Sequence, residues 1–211
     1  MKKYLLILIL IPKTILIFSQ ENKPFPFNEF SVSINRTNLK DDNTENKIGF
    51  GIGTYHTFLS EKKINLKIGI EYNRTSQLKK YVYESHFANS SDVYYYINSI
   101  SIPFTTKINF GNKAKLLIET GLFTDLNIGA KRKGTMHSYL PYLKYTESKF
   151  EENTQISAIN YGFSVGIGIN VPLFKYRLTI KPEYKYGVHE LYDYGTSIFN
   201  KYYRIILGIQ I

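Results

Sequence analysis

Residues 160–174, NYGFSVGIGINVPLF, alternate strictly: Tyr161, Phe163, Val165, Ile167, Ile169 and Val171 form one set, and Asn160, Gly162, Ser164, Gly166, Gly168 and Asn170 the other. A period of two is that of an extended strand with two faces. In a soluble sandwich the bulky face would be core, and the other would carry solvated Lys, Glu and Thr. Here the second face has almost no side chains. Glycine weakens a strand interior, so several on one face mark a place where something large needs the space.

The same alternation recurs along the chain in stretches of about ten residues, the length of a membrane-crossing β-strand. We read them at about 29–38, 47–59, 64–77, 94–110, 115–131, 155–171, 176–187 and 202–211. In the third, Ile64, Leu66, Ile68, Ile70 and Tyr72 oppose Asn65, Lys67, Gly69, Glu71 and Asn73. In the fifth, Leu116, Ile118, Leu122, Leu126 and Ile128 oppose Glu119, Gly121, Asp125, Asn127, Gly129 and Lys131. The seventh sets Leu178, Ile180 and Tyr184 against Arg177, Lys181, Glu183 and Lys185, and the last sets Ile205, Leu207 and Ile209 against Arg204 and Gly208.

Connections alternate as well. Short links (60–63, 111–114, 172–175) follow the even strands, and long polar ones (39–46, 78–93, 132–154, 188–201) follow the odd. Long links are awkward in a compact soluble domain. In an outer-membrane barrel, turns are short on the periplasmic side and loops long outside. The expected fold is therefore all-β: an antiparallel up-and-down transmembrane β-barrel of about eight strands. Its charged face would be the lumen (Lys67, Glu71, Lys107, Glu119, Asp125, Arg177, Lys181, Glu183, Lys185, Arg204), with glycines making room and mixed signs pairing. A soluble lipocalin-like barrel is the alternative, and it would turn these charges outward.

Residues 1–19 have a basic start, an apolar run and a small residue, Ser19, as in a secretory signal peptide. An uncleaved N-terminal anchor is the other reading. The expected organisation is a signal at 1–19, a short periplasmic lead at 20–28 and a barrel domain at 29–211. The absence of Cys excludes a disulfide framework and thiolate metal sites. Losing Lys2, Lys3 and Lys13 with the signal leaves 24 basic against 17 acidic side chains, about +7. These are scattered with no Lys/Arg block, which fits anionic lipid rather than nucleic acid. Many of the 19 tyrosines, among them Tyr81, Tyr83, Tyr94, Tyr95, Tyr96, Tyr139, Tyr142, Tyr145, Tyr192, Tyr194, Tyr202 and Tyr203, fall at loop-side strand ends, as in an interfacial girdle.

The segments SISIPFTTKINFG (99–111) and KLLIETGLFTDLNIGAKRKG (115–134) resemble the PorT-like outer-membrane β-barrel family of Bacteroidota: an Ile-Pro strand, a short Gly-containing turn, then a strand running to a Gly-Ala-Lys end. The resemblance implies an outer-membrane β-barrel with no common active site. One branch of that family takes part in protein secretion.

Candidates for chemistry are few. His86, His137 and His189 lie in three different long loops, so a metal site would need them to converge with Glu84, Glu190 or Asp193. Ser138 is next to His137, but neighbours in sequence rarely face one site. His56 sits on an apolar face. GFGIGTY (49–55) lacks the helix and Lys-Ser/Thr of a phosphate loop. Sequon matches at Asn35, Asn73 and Asn89 are chance. No catalytic, cofactor-binding or metal residues are assigned, and no cofactor is expected. The expected role is structural or binding, in the cell outer membrane. Its partners would be lipid and lipopolysaccharide, the barrel-assembly and chaperone machinery, and, in the alternative of an envelope secretion component, secretion-system subunits. A lipid-modifying barrel enzyme is the further alternative.

The pattern generates a fractionation test. The protein should resist carbonate extraction from envelopes and migrate faster on gels when unheated. Recovery in the soluble periplasmic fraction would refute the membrane-facing assignment.

Overall fold

The computed structural model describes residues 27–37, 43–59, 62–139, 145–191 and 199–211; the segment expected to be a signal, most of the expected lead, and Tyr142, Tyr192, Asp193 and Tyr194 lie outside them. Ten strands occur among the described residues: β1 (Glu29–Thr37), β2 (Thr44–Asn46), β3 (Ile48–Phe58), β4 (Ile64–Ser85), β5 (Ala88–Phe110), β6 (Lys115–Ser138), β7 (Thr146–Asn153), β8 (Ile159–Leu173), β9 (Tyr176–Glu190) and β10 (Phe199–Gln210).

Eight of them close a ring. Each pairs antiparallel with the next, in the order β1, β3, β4, β5, β6, β8, β9, β10, and β10 returns to β1 from Glu29↔Gln210 to Thr37↔Tyr202. Closure removes both edges of the ring, so each of its eight strands finds backbone partners on either side, while β2 and β7 pair on one side only. That is the condition for a sheet surrounded by lipid.

Burial follows the expected alternation. β8 reads exposed–buried over its first twelve residues, with Tyr161, Phe163, Val165, Ile167 and Ile169 outside and Asn160, Gly162, Ser164, Gly166, Gly168 and Asn170 inside. The glycines answer the question posed by this stretch. A Cβ on Gly168 would lie 2.5 Å from the Ile180 carbonyl oxygen and 2.9 Å from the Lys181 Cβ; one on Gly166 would be 3.0 Å from the Lys181 Cδ. On the neighbouring strands β3 and β4, where Tyr55 and Gly69 are paired, a Cβ on Gly69 would collide with the Tyr55 ring that lies over it. Bare positions are where long lumen side chains lie.

Two expectations are corrected. The segments 78–93 and 132–154 are not simple loops: β4 and β5 run on to a turn at His86-Phe87, β6 continues to Ser138, and β7 pairs beside it from Lys131↔Asn153 to Ser138↔Thr146. Their alternating aromatic and β-branched residues (Tyr81, Val82, Tyr83, Val93, Tyr94, Tyr95) favour strand, and a hairpin can outgrow the bilayer because its hydrogen bonds need a partner strand rather than lipid. The second correction is a facing. Between Asn98↔Gly129 and Ser99↔Asn127 the register shifts by one residue, a β-bulge at Ile128. Beyond it the two faces of β6 exchange. Gly129 and Lys131, expected inside, are exposed, and Ala130 turns inward.

The two faces make opposite demands on substitution. Ile167→Arg places a charge at the lipid-facing middle of β8 and should cost about 2–4 kcal/mol. Ser164→Arg should be harmful by crowding the interior beside Lys185, and Ile167→Leu should be nearly silent. Folding into liposomes, followed by urea titration, measures all three. Wild-type stability of Ile167→Arg would reverse the facing.

Candidate functional site

The ring's inner face gathers ten charged side chains, all buried: Glu29, Glu71, Glu119, Asp125 and Glu183 against Lys67, Lys107, Lys181, Lys185 and Arg204. They form one chain of alternating sign. Lys107 lies 4.0 Å from Glu29, which accepts a 2.6 Å bond from Lys67. Lys67 is 3.6 Å from Glu119, Glu119 is 2.9 Å from Lys181, and Lys181 is 2.6 Å from Glu183. Arg204 then donates from Nε to Glu183 at 2.8 Å and through both terminal nitrogens to Glu71 at 2.7 and 2.9 Å. Lys185 joins Glu71 at 3.3 Å to Asp125 at 3.6 Å. Five anions meet five cations, so the buried set is neutral.

Neutral groups complete the coordination. Tyr55 donates to Glu71 at 2.7 Å, Thr105 to Glu119 at 2.9 Å, and Lys185 to Ser101 at 2.8 Å. Two cations also sit over aromatic faces, Lys67 at 3.9 Å from the Tyr55 ring centre and Lys185 at 4.2 Å from that of Phe123. Above the chain, Ile97, Ala130 and Leu191 pack with Ile156 into a small apolar cluster at the loop-side mouth.

Nine of the ten charged residues expected in the lumen are there. Arg177 is the exception; it is half-buried at the turn end, outside the ion chain. Glu29 is a lumen acid that sequence reasoning missed, although the alternation of FSVSIN from Phe30 outward places it on the inner face. Tyr95 and Tyr202, expected in the girdle, are buried inside, whereas Tyr81, Tyr83, Tyr139, Tyr145 and Tyr203 are exposed.

The histidines have separate partners. His86 meets the Tyr83 hydroxyl at 3.2 Å, and His189 meets the Glu190 carbonyl at 2.8 Å. His56 packs edge-on to Phe58. His137 is bonded not to its neighbour Ser138 but to Ser91 Oγ through Nε2 at 2.8 Å, and through Nδ1 to the Tyr145 hydroxyl at 2.7 Å, which reaches Glu147 at 3.4 Å. This is a serine–histidine relay, but Ser91 lies within a strand paired on both sides, with Tyr81 and Thr135. Among the described residues no three His, Asp or Glu side chains come together as a metal cluster. Nearby, Arg132 is clasped by Glu84 at 2.8 Å and by Glu152. Burial opposes its charge, and these two carboxylates outweigh that, holding its pKa above the usual arginine value.

No family model and no curated protein matches the chain. Among solved structures, Neisserial surface protein A is similar over 88% of this chain and 95% of its own, at 12% identity and a TM-score of 0.46. Ail, the attachment invasion locus protein of Yersinia pestis, is similar over 87% of this chain and 97% of its own, at 13% identity and a TM-score of 0.37. The N-terminal β-barrel domain of Pseudomonas aeruginosa OprF covers 88% of this chain and 98% of its own, at 9% identity and a TM-score of 0.38. At such scores the class rests on the chain's own geometry. A closed ring, apolar outside and charged inside, with short turns at one end and long hairpins at the other, is a transmembrane β-barrel of the outer-membrane kind. Its place is the cell outer membrane.

Removing one anion from the chain leaves the buried set with one positive charge in excess. Glu119→Gln leaves both Lys67 and Lys181 short of a partner, and should cost about 3–5 kcal/mol in liposome unfolding, as for a broken buried pair. Asp125→Asn affects only Lys185 and should cost less. Glu151→Gln, in an exposed pair with Lys131, should cost about 0.5 kcal/mol or less. Equal losses at all three would dismiss the ion chain as a stabilising element.

Proposed function

We propose that this protein is a non-enzymatic outer-membrane barrel with a structural or binding role, its lumen closed by its own side chains rather than open as a wide pore. The observation that carries this reading is the ten-residue ion chain, whose members come from β1, β4, β5, β6, β9 and β10 and so bridge the interior from wall to wall. An eight-stranded interior is one that side chains just fill. A cavity of about 10 Å³ lined by Tyr95, Ile97, Leu191 and Asn200 at the loop-side mouth, roughly the space for one water, supports it. Binding then falls to the outer wall and to the projecting hairpins.

In this reading residues 1–19 direct export and 29–211 form the barrel. Outer-membrane lipid and lipopolysaccharide surround it, and periplasmic chaperones and the barrel-assembly machinery handle it during biogenesis. The PorT-like resemblance of residues 99–134 supports a second assignment, a component of an envelope secretion or assembly machine. The long sheet carried by β4, β5 and β6 beyond the ring supplies a surface for such a partner.

Planar-bilayer recordings should show little steady conductance from the wild type, and a large ohmic pore would overturn the closed lumen. The non-enzymatic assignment is checked by the lipid A mass profile of cells expressing wild type, Ser91→Ala or His137→Ala. The profiles should be identical, and a species that depends on Ser91 and His137 would make the protein a lipid-modifying enzyme.

A further inference from the structure

We propose that Arg74, Tyr94, Tyr96 and Lys133, with Lys47 beside them, form a site on the outer wall for the phosphate headgroup of a lipid in the outer leaflet. The inference rests on the membrane reading above and adds a ligand to it.

The residues come from adjacent strands β4, β5 and β6. The Tyr94 and Tyr96 rings stack with centres 6.3 Å apart and planes 10° from parallel. The Arg74 guanidinium lies 4.7 Å from the Tyr96 ring centre. Lys133 Nζ is 5.2 Å from Tyr96 and 5.9 Å from Tyr94, and Lys47 Nζ is 5.8 Å from Tyr94. Two aromatic faces therefore hold three cations in one patch, attracting them through the ring quadrupole; of the three only Lys47 also has a carboxylate, Glu45.

What distinguishes the patch is that several cations gather over one pair of stacked rings, two of them outside any ion pair. The lumen cations are matched by lumen acids. Outside, Lys131 has Glu151, Arg132 has Glu84 and Glu152, and Lys47 shares Glu45 with Lys80. Among the described residues neither Arg74 nor Lys133 has a carboxylate partner in an ion pair. Glu151 stands opposite Lys133 in the β6–β7 register but is held by Lys131, so Arg74 and Lys133 are left for an anion from outside the chain. Arginine's planar fork suits phosphate oxygens bidentately, lysine adds a point charge, and two tyrosine hydroxyls add donors.

Position selects a lipid over a soluble anion. Arg74 is two residues loop-ward of Tyr72 on the outward face, and Tyr72 pairs with Ile100 and tilts against the exposed Phe50 ring at 6.0 Å. The cations thus stand where the apolar belt ends, at headgroup height, with exposed Phe50, Ile52 and Ile70 below for acyl chains. The loop-side end is the outward one in a barrel with short periplasmic turns.

The test uses the full mature chain, delipidated in detergent and placed in phosphatidylcholine nanodiscs doped with diphosphoryl lipid A or with its dephosphorylated form. Native mass spectrometry after release into detergent counts retained lipid. Wild type should retain the phosphorylated form preferentially. The Arg74→Gln/Lys133→Gln double variant should lose that retention about tenfold, the scale of one charge-assisted contact. Lys113→Gln, an exposed lysine at the opposite, turn end of the barrel, should leave it unchanged. Heat-modifiable migration reports whether each barrel is folded, and if the double variant fails there, Lys133→Gln alone carries the comparison. Equal retention by wild type and charge variant, or no preference for phosphorylated lipid, overturns the site. Displacement by inorganic phosphate as readily as by lipid would make it a soluble-anion site and overturn the lipid assignment. Failure of the wild type to enter nanodiscs would instead refute the membrane reading itself.

Discussion

The hydrogen bonds between β1 and β10 close the sheet, and the rest of the structure depends on that closure. In hydrocarbon an open edge would leave a row of backbone N–H and C=O groups unpaired, each at a cost of several kcal/mol. Once the sheet is a ring with lipid outside, every strand must send its polar face to a common interior. Charges there have little water to solvate them and must satisfy one another. The alternating order from Lys107 to Asp125 is a solution to this: each internal member has opposite charge on both sides, and the set sums to zero.

That solution needs space as well as sign. Eight strands leave an interior narrow enough that Lys181 and the Tyr55 ring lie down along the wall, where the neighbouring strand is bare. The glycines on β3, β4 and β8 thus belong to the same device as the charges, although they carry no chemistry. Such rows would weaken a soluble strand. They are tolerable here because ladder bonds on both sides hold the backbone, and because the lumen side chain fills the place of the missing one.

Much of this was legible from period alone. The outward sets on β4, β6, β8 and β10 and nine of the lumen charges follow from alternation, because a one-residue error would turn the whole apolar face inward. Three things were not legible, for different reasons. Glu29 sits at the very start of β1, where only the residues after it define a face and an acid reads as readily as the end of the lead. Tyr95 and Tyr202 were misplaced because tyrosine suits both an interface and a crowded polar interior, so composition could not separate the two. The partners of His137 come from β5 and from the residue preceding β7, elements joined to it by pairing rather than by sequence proximity. Which acid meets which base likewise depends on strand stagger, which no single strand encodes.

The bulge at Ile128 shows how one local irregularity couples these parts. If β6 ran through this sequence as a regular strand with no bulge, alternation would place Lys131 and Lys133 over the lumen mouth, with Ala130 and Arg132 facing out. The interior would then hold two more cations than anions at its outer end. With the bulge, Ala130 turns in to pack with Ile97 and Leu191, and Arg132 reaches the Glu84 and Glu152 carboxylates. Lys131 and Lys133 move to the outer wall, one to Glu151 and the other over Tyr94 and Tyr96. Leaving one residue out of the pairing therefore keeps Lys131 and Lys133 from the lumen, supplies an apolar member of its cap, and puts a cation at the lipid boundary. This is the use that bulges at barrel rims generally serve, re-aiming side chains where the regular pleat would send them the wrong way.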